Sequence, residues 1–324
     1  MIRKMCLVLL CLLMLGSCKR ATDARAPVRV TVAQFGHVFL YLPLYAAQAK
    51  GYFREQGLEV TLVSTGGDDK TFAAVAAGSA QYGVADPVFT AIAGERGQGA
   101  KVISSVVNGM PFWGVTYRKD LKPITAPAQF AGLRVATYPA PSTNYAAMAE
   151  TLRQGNVDGQ ASIVQGSFGS LLAILRAGKA DVAMELEPVA SLAVQDGGHI
   201  VYSSAQRYGA FAFTGISATD AHLAREPEQA RAVVRAVAKA IDWLHADFEG
   251  ATALARAEFP EVPEPVIRVA LRRLLDDGVI PASPRMSEQA WARAVDLRRA
   301  LGEIKGTARY QDYVDMRFVP DAAR

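Results

Sequence analysis

A mixed α/β fold in two lobes with a helical ending is what the sequence predicts, on three observations. Short β-rich runs alternate with helical runs from Val28 to about Ile216. Single glycines stand just past the helical runs, at Gly51, Gly78, Gly155 and Gly178. After Ile216 the pattern loses its strands and becomes almost wholly helical. Composition agrees: the chain has 324 residues, is 51% hydrophobic and only 20% charged, which is that of a globular α/β protein with enough length for two domains.

The elements follow in order. Val28 to Ala33 alternates as a strand, and a loop with Gly36 and His37 leads to a helix over Pro43 to Lys50. Leu58 to Val63 is a second strand, and Gly66-Gly67-Asp68-Asp69 opens a helix over Lys70 to Ala77. A short strand, Tyr82 to Ala85, precedes a helix opened by Asp86-Pro87, and Lys101 to Val107 returns as a strand. A second unit of the same kind starts near Ile124. It has strands at Leu133–Thr137, Ala161–Val164 and Asp181–Met184, with helices at Ser142–Gln154, Ser167–Ala177 and after Glu187-Pro188. Phe211 to Ile216 is extended. Helices then run over Glu226–Ala246, Pro265–Asp277 and Ser287–Leu301. No period of repeat length and no low-complexity tract stands out.

This order predicts residues 28–114 with 215–324 as one lobe and 115–214 as the other, with the chain crossing near Trp113–Arg118 and Ala210–Ser217. Two crossings make a hinge, and a cleft between lobes joined in this way can close over a small solute.

The amino terminus has the form of an export signal. Basic Arg3 and Lys4 precede an apolar run from Met5 to Leu15, too short for a spanning helix, and Leu15-Gly16-Ser17-Cys18 follows. That run resembles the bacterial lipobox, which implies residues 1–17 as a signal peptide, acylation of Cys18, and attachment to the membrane on the periplasmic side of the cell envelope. Residues 18–27 read as a tether. Cys6 and Cys11 would leave with the signal, so no disulfide is expected. Net charge of +4 drops to +2 without Arg3 and Lys4, the basic residues are scattered, and nucleic acid is not an expected partner.

Four helices begin just after strands, at Asp69-Lys70, Asp86-Pro87, Ser142-Thr143 and Glu187-Pro188. Ligands of open α/β sheets sit beyond the carboxyl ends of strands, where helix starts offer free N–H groups, so Asp69, Asp86, Ser142, Thr143 and Glu187 are candidate cleft residues. Ser142 is also an ordinary helix cap, whereas Glu187 is not a favoured one. Ionised Asp86 and Glu187 in a cleft would oppose an anion and suit a ligand with N–H donors. Tyr41, Trp113 and Tyr138 are aromatic surfaces for a ring, and His37 is a further donor. No Gly-x-Ser-x-Gly elbow, His-Glu-x-x-His helix, metal-spaced cysteine pair or phosphate loop is present; neither enzyme activity nor a metal nor a cofactor is expected.

Three segments carry a family resemblance: Pro43-Leu44-Tyr45-Ala46-Ala47-Gln48-Ala49-Lys50-Gly51-Tyr52-Phe53 with Gln56-Gly57-Leu58-Glu59-Val60; Ala73 through Asp86; and Asp181-Val182-Ala183-Met184-Glu185-Leu186-Glu187-Pro188. They resemble the solute-binding proteins of ABC importers, in the branch that handles nitrate, alkanesulfonates, taurine and thiamine pyrimidine precursors. The resemblance implies a type II periplasmic-binding-protein fold, no catalysis, and a membrane permease with its ATPase as partners. It does not set the ligand: a nitrogenous, pyrimidine-precursor-like molecule is expected first, a nitrate, sulfonate, taurine or related anion second. Fungal pyrimidine synthases resemble the same fold, but they carry a cysteine-rich motif and this mature chain keeps Cys18 alone. A sensor that binds without transport is a third reading.

Overall fold

The computed structural model describes residues 26–321; the expected signal, Cys18 and most of the tether lie outside them. Ten strands form two five-stranded sheets. In the first half the chain makes β1 (Val28–Gln34), α1 (Leu42–Ala49), β2 (Leu58–Ser64), α2 (Asp68–Ala76), β3 (Tyr82–Ala85), α3 (Phe89–Gly94) and β4 (Ala100–Gly109). The second half adds β5 (Trp113–Thr116), β6 (Arg134–Thr137), α4 (Thr143–Gln154), β7 (Ser162–Gln165), α5 (Leu171–Arg176), β8 (Val182–Glu185), α6 (Val189–Gln195) and β9 (His199–Ser203). β10 (Ala210–Thr219) returns to the first sheet, and the helices α7 (Pro227–Ala246), α8 (Phe248–Glu258), α9 (Glu264–Asp276) and α10 (Glu288–Ala300) follow.

The first sheet has the order β2-β1-β3-β10-β4 and the second β7-β6-β8-β5-β9. β1, β2 and β3 pair in parallel, as do β6, β7 and β8. β10 runs antiparallel between β3 and β4, and β5 antiparallel between β8 and β9. Parallel strands connected through helices are covered on both faces, which is why β3 and β8 are buried along their whole length. Gly215 lets β10 lie this close to its neighbours: a Cβ there would come 2.7 Å from Val102 Cγ1 and 3.0 Å from Ser104 O.

The chain passes between the sheets at 110–112 and again through the helical turn Ser204–Tyr208. Both passages precede the expected ones. Trp113 to Thr116 already pairs with β8 and β9, and Ala210 already pairs with β4. The strand β9 and the helix α8 were not anticipated, because β9 mixes His, Ser and apolar residues without a clean alternation and α8 carries Gly250 in its first turn. α5 begins at Leu171 rather than Ser167, since Gly169 at φ +83° holds a turn there.

A helix–strand–turn–helix unit recurs at an offset of 100 residues: α2-β3-α3 and α5-β8-α6 have the same element lengths across the strand and turn. The sequence hides this repeat, because only alanines and a glycine coincide (Ala73 and Ala173, Ala77 and Ala177, Gly78 and Gly178, Ala80 and Ala180, Ala93 and Ala193).

The carboxyl-terminal helices are held by burial of one stripe. In α7, Ala230, Val233, Val234, Val237, Ile241 and Leu244 recur at three- and four-residue spacing and are all buried. Each fully buried Val, Ile or Leu contributes about 1.5–3 kcal/mol, so Val237→Asp would detach the helix. α7 packs on α1, α8 packs on α1 and α9, and α10 packs on β10. Among the described residues no helix is long and apolar enough to cross a membrane.

Candidate functional site

Between the sheets lies a cleft of about 530 Å³, counted to its open mouth. It is reached by the segments that follow β1, β2, β6, β7 and β8, the carboxyl ends of parallel strands, and by β10 and the 110–112 passage. The first lobe contributes Phe35, Val38, Leu40, Tyr41, Asp68, Phe213 and Thr214. From the other side come Phe112, Tyr138, Ser142, Thr143, Asn144, Phe168 and Leu186.

Five rings form a continuous belt around this space. Phe35 meets Phe168 across the mouth with centroids 6.1 Å apart, Phe168 meets Tyr138 at 5.4 Å, Tyr138 meets Phe112 at 6.3 Å, and Phe112 meets Phe213 at 5.5 Å. Edge-to-face and tilted contacts of this kind hold rings in place and leave flat apolar faces for a guest. The Tyr138 hydroxyl turns away from the belt and donates to Glu185 Oε2 at 2.9 Å. Burial pushes the Glu185 carboxyl up to about 7.

The polar groups in the lining are few and oriented. Ser142 caps α4, its Oγ accepting from the Tyr145 N–H at 3.3 Å. Asn144 is buried and donates its Nδ2 to Met184 O at 2.8 Å, which fixes the amide and leaves Oδ1 as an acceptor with no partner. Asp68, the first residue of α2, accepts from the Asp86 N–H at 3.1 Å. Burial, and secondarily the neighbouring Asp86, push its carboxyl up to about 7. Among the described residues no Lys, Arg or His lines the cleft. Among the described residues there is also no group of His, Cys, Asp or Glu arranged to hold a metal.

Of the expected site residues, Tyr41, Tyr138, Ser142 and Thr143 come together in this lining. The other five are placed elsewhere, and the expectation that they face a common cleft is corrected. Asp86 lies one layer behind: it is buried, its Oδ2 accepts from Thr143 Oγ1 at 3.2 Å and from Arg298 Nη2 at 2.5 Å, and its Oδ1 accepts from the Val88 N–H. Glu187 is buried against α6, accepting from the Ser191 N–H and hydroxyl, and is paired with Arg273. Trp113 is packed beside that pair and donates its indole N–H to Asp277 Oδ2 at 3.1 Å. Asp69 is exposed on α2 over a separate groove with Phe72 and Arg96. His37 stacks on Phe259 at 4.7 Å and lies 3.0 Å from Glu258.

The ligand argument built on Asp86 and Glu187 therefore does not stand, since an arginine neutralises each. Among the polar groups that line the space, Asp68 and Asn144 offer acceptors, and neither stands out in the sequence. Asp68 stands beside Asp69, and helical phase alone decides which of two adjacent acids turns inward. Asn144 is the third residue of a capped turn. Phe168 carries a signal, a large apolar residue between Gly166 and Gly169 in a turn, whereas nothing local marks Phe35, Phe112 or Phe213 as cleft residues.

Two lobes joined by two passages, with the cleft at the carboxyl ends of both parallel strand sets, define the periplasmic-binding-protein fold. The chain belongs to the NMT1/THI5-like family, whose model matches residues 39–251. A candidate binding protein, YtlA of Bacillus subtilis (strain 168), is 25% identical over 315 residues, 93% of this chain and 91% of that protein. The 4-amino-5-hydroxymethyl-2-methylpyrimidine phosphate synthase of Aspergillus parasiticus is 35% identical over 80 residues, 25% of this chain and 23% of the synthase. In structure, the alkanesulfonate-binding protein SsuA of Xanthomonas axonopodis pv. citri, bound to MOPS, superposes with a TM-score of 0.69 at 16% identity, over 90% of this chain and 98% of that one.

Proposed function

We propose that the protein is the solute-binding component of an ABC importer, held by acylated Cys18 on the periplasmic side of the envelope, that clamps a small nitrogenous ring between its lobes for delivery to a permease driven by an ATPase. The observation that carries the ligand class is the cleft lining: a belt of rings, no basic side chain, and acceptors at Asp68 and Asn144. A flat heteroaromatic ligand with exocyclic N–H or O–H donors satisfies both acceptors while stacking in the belt, and gives the unpartnered Asn144 Oδ1 a donor. The pyrimidine base named in the fungal relative has this character.

A small anion is the second reading, and one feature favours it. The Ser142-capped start of α4 opens on the cleft, and a helix start attracts negative charge. Asp68 opposes it above about pH 7, where its carboxyl ionises and cancels that potential. Catalysis in the manner of the synthase is disfavoured by the loss of all cysteines but Cys18 on maturation.

A thermal-shift screen separates these readings. 4-Amino-5-hydroxymethyl-2-methylpyrimidine should raise the melting temperature by several degrees, since a ligand at about 100 times its Kd stabilises the folded state by about 2.7 kcal/mol. Nitrate, taurine and alkanesulfonates should do little at equal concentration. Stabilisation by sulfonates with none by the pyrimidine would overturn the assignment.

A further inference from the structure

Beyond residue 251, where the family match ends, two arginines of the carboxyl-terminal helices reach across to the second lobe. Arg298 on α10 is buried, although α10 packs on β10 of the first sheet. Its Nη1 donates to Pro141 O at 2.8 Å and its Nη2 to Thr143 Oγ1 at 2.9 Å, both in the turn that starts α4. Nη2 also holds Asp86 Oδ2 of the first lobe, and Nη1 holds Glu303 Oε2 at 2.9 Å. Arg273 on α9 makes the second connection. Its Nη1 pairs with Glu187 and donates to Ser191 Oγ at 2.8 Å, at the start of α6.

We propose that Arg298 and Arg273 are positioning residues for the cleft: each fastens the start of one second-lobe helix to the first lobe and so sets how far the two walls stand apart. Neither touches the space itself. Arg298 acts through Thr143, which lines it, and Arg273 through Glu187, whose neighbour Leu186 lines it. Opening the lobes would part Arg298 from Pro141 O and Thr143 Oγ1 while its pair with Asp86 stays within the first lobe, and would part Arg273 from Glu187, a buried charge pair whose burial is close to neutral against hydration. Such fastenings direct the walls without locking them. Removing one partner is different, because the other is left buried and unpaired whenever the lobes approach. The inference rests on the solute-binding reading only for its ligand measurement.

The test uses the full chain and the variants Arg298→Met, Arg273→Met and Thr143→Val, the last of which removes two hydrogen bonds across the lobes, to Asp86 and from Arg298, without stranding a charge. Small-angle scattering without ligand should give a larger radius of gyration for both arginine variants. Amide exchange should speed up around Tyr138–Tyr145 in Arg298→Met and Thr143→Val, and around Leu186–Ser191 in Arg273→Met. Affinity for 4-amino-5-hydroxymethyl-2-methylpyrimidine should fall about tenfold or more in Arg298→Met, as closure becomes costly, and Arg298→Lys should recover part of it. Unchanged scattering and local exchange in both arginine variants would overturn the proposal. If Arg298→Met does not fold, Thr143→Val decides by exchange alone. If the pyrimidine fails to bind the wild type, the ligand reading fails while scattering and exchange still judge the arginines.

Discussion

Asp86-Pro87 and Glu187-Pro188 end the equivalent strands β3 and β8, yet they stand one residue out of step. In the recurring unit Asp86 corresponds to Leu186 and Pro87 to Glu187. That single slip turns the two carboxylates in different directions. Asp86 stays next to the cleft, joined to Asp68 and Thr143, whereas in the second lobe an apolar Leu186 occupies the matching place and Glu187 is carried round to α9. Both still end on an arginine, because a buried carboxylate without a partner is too costly to keep. The comparison teaches that a carboxylate before a proline at a strand end is not by itself a ligand contact; its neighbour in the helical turn decides.

The largest effect should come from splitting the more enclosed of the two pairs. Arg298→Met leaves Asp86 buried without its partner and should cost about 3–5 kcal/mol in urea unfolding. Arg273→Met should cost less, about 1–3 kcal/mol, because the Arg273 side chain is 21% exposed against 2% for Arg298, and water can reach the gap. An equal or reversed order would break the comparison between the two turns.

The next effect concerns charge at the cleft. Asp68 is raised from 3.8 to about 7, so between these values the folded chain holds a proton that the unfolded chain has released. Stability therefore falls as pH rises through that window, and the loss is complete above it. Asp68→Asn should add up to about 4 kcal/mol at pH 8 and nothing near pH 4. Glu185, raised from 4.5 to about 7 in the second lobe, keeps its own share of the slope in that variant. Comparing Asp68→Asn with Glu185→Gln thus separates the acid that lines the space from the one behind Tyr138.

Smaller changes sharpen the boundary of the site. Phe168→Ala removes a ring that is 56% exposed, so stability should stay within about 0.5 kcal/mol while the thermal shift produced by a bound ring shrinks. His37→Ala removes a partly exposed pair with Glu258, should change stability by about 1 kcal/mol or less, and should leave ligand shifts intact.

Much of the architecture was legible in the residues. Alternation, glycine stops and the Ser142 cap placed β1–β4, β6–β8 and most helices within a few positions, because those signals are local. The crossings were read late, since Trp113–Thr116 and Ala210–Thr219 are strands whose partners are distant in sequence. The site was legible in part. Tyr41, Tyr138, Ser142 and Thr143 follow from strand ends and helix starts, but no local pattern tells Asp68 from Asp69. Nor does any local pattern reveal that Arg273 and Arg298, more than eighty residues downstream of the acids they hold, neutralise Glu187 and Asp86.

Calorimetric titration of 4-amino-5-hydroxymethyl-2-methylpyrimidine into the wild type and into Asn144→Leu bears most directly on ring recognition by acceptors in the cleft. One site per chain in the wild type, weakened about tenfold or more in the variant because a buried hydrogen bond is lost, is the expected result. Equal affinity in the two proteins, or saturation by an alkanesulfonate with no heat from the pyrimidine, would contradict it.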